Sequence, residues 1–210
     1  MLFENLKIRD VNLKNRVVVS PMCQYSAKEG TMSDWHLAHL GQFAMTGPGL
    51  IIIEATGVEA VGRITHGCCG LYSDENEAAM KRVISFCKSV GNSKIGIQLG
   101  HAGRKASTER PWEGGNALKS DAWQTCAPSA IAFTDGWHTP KALEDDGLAR
   151  VKQAFVNAAN NLINDFYNKK YRVEQGTLVH EVIKAMKEFV EDKDLAQAFG
   201  RPPSDKSPEQ

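Results

Sequence analysis

Between the breaker Thr46-Gly-Pro-Gly49 and Gly57 the chain reads Leu50-Ile-Ile-Ile-Glu-Ala-Thr56. A short apolar run bounded by glycine suits a strand buried on both faces, and strands of that kind belong to parallel sheets covered by helices. The chain is thereby restricted to an α/β architecture. Two further stretches have the same character. Arg16-Val-Val-Val19 suits an extended strand and runs into Ser20-Pro21-Met22-Cys23-Gln24-Tyr25, where the proline cannot donate to a ladder and ends it. Lys94-Ile-Gly-Ile-Gln98-Leu99 is a third.

Helical signals separate these strands. Ser33 or Asp34 caps a helix holding Trp35, His36, Leu37, His39, Leu40, Phe43 and Ala44, and a second helix from about Glu75 to Val90 ends at Gly91. A third begins at Leu148 and aligns Val151, Ala154, Phe155, Ala158, Leu162 and Ile163 on one face. Before the first strand, Leu6/Ile8 and Val11/Leu13 alternate with polar residues about Arg9-Asp10, a hairpin signal. Strand–helix repeated three times, with the long loops after the strands, is the pattern of a (β/α)₈ TIM barrel. Such barrels take about 250 residues. This chain has 210 and displays only three units, so a partial barrel is expected over residues 1–160.

Beyond residue 160 the pattern changes. Phe166-Tyr-Asn-Lys-Lys-Tyr-Arg is too polar for a fourth buried strand, whereas Leu178, Val182, Ile183, Met186, Phe189 and Val190 form an amphipathic helical stripe. Residues 161–198 are therefore read as a divergent helical segment, and 199–210 as a disordered tail on composition. The apolar stripe calls for a cover, either the open barrel edge or another chain, including a second copy.

Lys plus Arg and Asp plus Glu both number 25, a balance that disfavours a nucleic-acid or anionic-membrane surface. No apolar run reaches the roughly 18 residues of a membrane span, and Met1-Leu-Phe-Glu-Asn lacks the regions of a signal peptide. Five cysteines without C-x-x-C spacing disfavour a disulfide framework or zinc site and suggest a reducing cytoplasm. The adjacent Cys68 and Cys69 read as ordinary small residues, because a vicinal bridge needs unusual backbone geometry.

Ligands of parallel α/β folds bind at the carboxyl ends of the strands. Cys23 lies there, either as a structural thiol, as a hydrogen-bond donor that tunes a bound ring, or as a nucleophile for which no base can be assigned. Gln98, an amide in an apolar strand, needs partners that a heteroaromatic imide edge, backbone or water would supply. Arg104 and Lys105 follow a glycine turn and either neutralise a phosphate or reduced ring or stand as a solvated pair. His36 and His39 are three apart on a helix, but no carboxylate or third histidine is evident to complete a metal site, so no metal is assigned. No G-x-G-x-x-G follows a strand, and Gly114-Gly115 lacks the P-loop lysine.

Six segments together resemble the old yellow enzyme family, and in particular its bacterial xenobiotic-reductase branch. They are Ser20-Pro-Met-Cys-Gln-Tyr25, Ile53-Glu-Ala-Thr56, Gly62-Arg-Ile-Thr65, Gly96-Ile-Gln-Leu-Gly-His-Ala-Gly-Arg-Lys-Ala106, Arg110-Pro-Trp-Glu-Gly114 and Ala127-Pro-Ser-Ala-Ile-Ala-Phe133. The resemblance implies a flavin-binding TIM barrel that takes hydride from NADPH or NADH onto FMN and passes it to an activated alkene such as an enone. It also implies that Ser20, Pro21, Met22 and Cys23 contact the flavin, that Cys23 tunes its potential, and that Ala55 offers its backbone. Gln98 would hold the pyrimidine edge and Tyr25 would face the substrate.

The resemblance ends near Asn160. The family's His-x-x-His pair, its proton-donating tyrosine and its phosphate-binding later strands have no counterpart here, and His180 stands alone. A truncated, spliced or frameshifted relative is the expectation. The competing expectation is a non-catalytic fragment that docks to a partner chain through its carboxyl-terminal amphipathic helix.

Overall fold

The structure, a computed structural model, describes residues 1–166; the expected helical stripe over 178–190, His180 and the tail from 199 lie outside the described residues. β1 (Leu6–Ile8) and β2 (Val11–Leu13) form the expected antiparallel hairpin, with Leu6 opposite Leu13 and Arg9 turning the chain at a φ of 50°. β3 is only Val18–Val19, shorter than the four residues its composition suggests. The Asn15 side chain explains the difference. Its Oδ1 accepts the Val17 N–H at 3.1 Å and keeps that donor off the ladder.

α1 (Asp34–Thr46) follows from Ser33 and stops at Gly47, whose φ of 77° only glycine adopts without cost. β4 (Leu50–Gly57) comes next. α2 (Asp74–Val90) is capped by Ser73, whose hydroxyl accepts the Asn76 N–H at 3.3 Å, and its first turn carries Asp74, Glu75 and Glu77 against the helix dipole. β5 (Lys94–Gly100) completes a parallel sheet in the order β3-β4-β5. The long segment after it holds two short parallel strands, β6 (Cys126–Ala127) and β7 (Lys141–Ala142). α3 (Asp145–Phe166) begins three residues before Leu148 and runs on past Asn160. Among the described residues no helix is long and apolar enough to cross a membrane.

One face of the sheet makes the core. Ile51 and Ile53 of β4, each 1% exposed, meet Leu40 and Ala44 of α1, Met80, Val83, Ile84 and Cys87 of α2, and Ala158 of α3. Full burial of each isoleucine, leucine, valine or methionine side chain among them contributes about 1.5–3 kcal/mol. The other face carries Leu50, Ile52 and Gly96 in mutual contact range, with Ala55 and Gln98 above them. Nothing among the described residues covers it fully. Gln98 is exposed there, so the buried amide that its sequence context suggests is not what the fold provides.

Between β4 and β5 the register shifts: Ile53 pairs with Ile97, but Ala55 pairs with Gln98. Glu54 is the extra residue of a β-bulge. Bulges re-aim side chains and gather beside functional sites. Here Ile53 and Glu54 are both buried, and Ala55 is returned to the open face.

Candidate functional site

The three strands deliver the expected residues to one end of the sheet. Val19 pairs with Ile51, Ile51 with Ile95, and Ala55 with Gln98, so four residues on from Val19 and Ile51 lie Cys23 and Ala55. The Cys23 sulfur is hydrogen-bonded by the Ala55 backbone and by the Tyr25 side chain. Ser20 and Met22 are exposed, while Pro21, Cys23 and Ala55 are half-buried. Cys23, Ala55 and Gln98 thus lie side by side.

The turn after Pro21 is fixed by its own polar groups. The Gln24 side chain donates to the Met22 carbonyl (2.8 Å) and accepts the Trp35 indole N–H (3.0 Å). The Ser26 hydroxyl donates to the Gln24 carbonyl (2.9 Å), and the Gln24 N–H donates to Glu54 Oε2 (3.0 Å). Tyr25 sits in the left-handed region at a φ of 50°, with its ring edge-on to Trp112 at 5.8 Å. A side chain on Gly67 would overlap the Tyr25 carbonyl, so the two segments approach as only a glycine permits.

Burial pushes the Cys23 thiol up to about 11, with the Glu54 charge and Cys68 adding to the rise and the Ala55 amide and Tyr25 opposing it. At neutral pH Cys23 is therefore a protonated thiol, a weak nucleophile but an available donor. Burial likewise raises Tyr25, which keeps its hydroxyl proton.

Beneath this turn lies a cluster that helix spacing did not reveal. His36, Glu54 and Cys69, at 1%, 4% and 0% exposure, bring one ligand atom each within 4.8 Å of the others. The carboxylate that seemed missing from His36 comes from the bulge of β4. His39 takes no part and packs edge-on against Phe43 at 5.2 Å.

The hydrogen bonds argue against a metal ion in this cluster. His36 Nδ1 accepts the Ser33 N–H at 3.0 Å, which leaves the ring proton on Nε2. That nitrogen faces Glu54 Oε1 at 3.4 Å and Cys69 Sγ at 3.3 Å. A metal needs a bare imidazole nitrogen and a thiolate. Burial holds the Cys69 thiol well above its ordinary value. The three groups form a hydrogen-bonded network.

Arg104 and Lys105 do not act as a pair. Arg104 Nη2 donates to Ser129 Oγ at 3.0 Å, and Lys105 lies over the Phe133 ring at 4.4 Å. His101 Nδ1 accepts the Gly103 N–H at 3.1 Å, and its Nε2 faces Glu59 at 3.5 Å and Cys126 at 3.7 Å. Glu54 had a signal in the sequence, a lone charge inside an aliphatic strand. His36 and Cys69 had none, because their meeting is non-local.

The sequence model of the NADH:flavin oxidoreductase / NADH oxidase family matches residues 1–167. The chain belongs to that family. An NADH:flavin oxidoreductase of Gibberella zeae is 40% identical over 189 residues, covering 87% of this chain and 46% of that protein. An NADPH dehydrogenase of Geobacillus sp. (strain WCH70) is 40% identical over 161 residues, covering 76% of this chain and 43% of its relative. The chain therefore spans about half the length of the curated relatives it matches. Among solved structures, morphinone reductase superposes with a TM-score of 0.66 at 25% identity over 95% of this chain and 59% of its own. Old Yellow Enzyme from Pichia sp. AKU4542 gives 0.66 at 26% identity over 78% and 43%. The flavin oxidoreductase family is one that binds FMN and uses NAD(P)H.

Proposed function

We propose that this chain carries the amino-terminal part of the flavin site of an NAD(P)H-dependent ene-reductase, built on the first three units of a (β/α)₈ barrel. One observation carries this reading: Cys23, Ala55 and Gln98 stand together at the carboxyl end of three adjacent parallel strands. The open face below them offers an apolar floor of Leu50 and Ile52, and its rim offers an amide, a backbone group and a neutral thiol. That combination fits a planar heteroaromatic ring with a polar edge.

FMN, when bound, supplies the hydride relay from NADPH or NADH to the β-carbon of an activated alkene. The residues of this chain bind and orient. In this reading Ser20, Pro21 and Met22 line one side of the ring, Gln98 engages its pyrimidine edge, and the Cys23 thiol donates toward it and shifts its potential. Tyr25, protonated and edge-on to Trp112, stands on the substrate side. The reaction takes place in the cytoplasm. A second copy of the chain, or a partner chain, covers the remainder of the open barrel.

The test is the visible spectrum of the full chain, purified and then titrated with FMN. A saturable flavin band bleached by NADPH is expected. Gln98→Ala should weaken FMN binding by about tenfold, the loss of about 1.4 kcal/mol that one good hydrogen bond supplies. A chain whose spectrum is unmoved by FMN is not a flavin binder, and the reading falls.

A further inference from the structure

We infer that Glu54 is the positioning residue of the turn from Ser20 to Tyr25, seated beneath it by the β-bulge and holding Cys23 and Tyr25 where a flavin would meet them. The inference deepens the flavin reading and rests on it for the identity of the ligand, but its evidence is independent. Glu54 is 4% exposed, a carboxylate that the bulge directs toward the helices in place of the open face. Its two oxygens serve two different elements. Oε2 accepts the Gln24 N–H at 3.0 Å, and Oε1 faces the Nε2 proton of His36 on α1 at 3.4 Å.

The chain of contacts has a direction. The Ser33 N–H at the start of α1 fixes the His36 tautomer, His36 and Cys69 orient the carboxylate, and the carboxylate holds the backbone between Cys23 and Tyr25. That backbone needs holding. Tyr25 is a bulky residue at positive φ, a conformation that persists only where its surroundings impose it. A carboxylate removed from water is a strong acceptor for a backbone N–H, and its charge acts at short range on the thiol one residue away.

Among the described residues, the titratable groups facing Cys23 are Glu54 from β4, Cys68 and Cys69 from the loop after β4, and Tyr25 from its own turn; those facing Glu54 are His36 and His39 from α1, Cys69, Cys23 and Tyr25. Among the described residues, Glu54 is the one carboxylate among the neighbours that push Cys23 toward its neutral form. Cys23 is half-buried while the other four cysteines are buried, so iodoacetamide addresses Cys23 selectively.

The experiment measures iodoacetamide alkylation of Cys23 against pH, and hydrogen exchange at the Gln24 amide, in the full-length chain without flavin. The wild-type alkylation midpoint should lie near 11. Glu54→Gln keeps an acceptor for Gln24 but loses the charge, and should raise the alkylation rate at pH 9 by about three- to tenfold while retaining the Gln24 amide protection. Glu54→Ala should lose that protection while the amides of α2 keep theirs. An unmoved profile in Glu54→Gln, or a protected Gln24 amide in Glu54→Ala, overturns the inference. If Glu54→Ala does not fold, the alkylation profile of Glu54→Gln decides it. None of these readouts needs FMN, so a chain that passes them but binds no flavin refutes the proposed function and leaves the role of Glu54 standing.

Discussion

Gly67 and Tyr25 show how a site can depend on an atom that is absent. Tyr25 holds a left-handed backbone, and its carbonyl occupies the space that a Cβ on Gly67 would need. Gly67→Ala forces one of two backbones to move. It should destabilise the chain by about 1–3 kcal/mol, read as a lower urea midpoint, and the displaced turn should expose Cys23 to faster alkylation. Cys23→Ala is expected to behave differently. It removes one donor from the rim, so FMN binding should persist while the flavin potential shifts, as potentiometric titration of the bound flavin would measure; abolished binding would make Cys23 an anchor and not a tuner. At this scale the sequence named the residues at the strand ends because breakers such as Pro21 mark where strands stop. It could not disclose Glu54 as their support, because that role depends on a bulge and on contacts with residues tens of positions away.

The elements were legible to the extent that their signals were local. The apolar spacing in α1 and α2, Ser33 and Ser73 before them and Gly47 and Gly91 after them are all near-neighbour chemistry. Ser73→Ala should therefore cost about 1 kcal/mol, since it removes the acceptor for the Asn76 N–H, and thermal unfolding should register it. β3 was over-read because Asn15 competes for the Val17 donor, a side-chain choice that strand propensity does not encode. β6 and β7 were missed for a related reason. Two residues carry no periodicity, and their pairing joins positions 126–127 to 141–142 across a loop. The start of α3 at Asp145 also escaped an apolar pattern, because its first turn is acidic and polar.

For the molecule as a whole, the neutral forms of its buried titratable groups set a limit on the alkaline side. Burial raises Cys23 to about 11 from an ordinary 9.0, raises Cys69 well above that same value, and raises Cys87, Tyr25 and Tyr72. Each binds its proton more tightly folded than unfolded. Their contribution to stability is fully present below about pH 9, where both states are protonated, and is lost as pH rises through the folded values, because the unfolded chain ionises first. The urea midpoint, measured in reductant, should accordingly hold steady to about pH 8.5 and fall between about 9 and 11. Lysine titration with loss of surface ion pairs would lower it in much the same range, but exposed pairs contribute little. Cys69→Ala tests the largest single member of the buried set. The thiol is fully buried beside Glu54, and its removal should flatten the alkaline fall while leaving the lysines untouched. A slope unchanged by Cys69→Ala would remove Cys69 from the alkaline loss and leave it to the other raised groups and the surface.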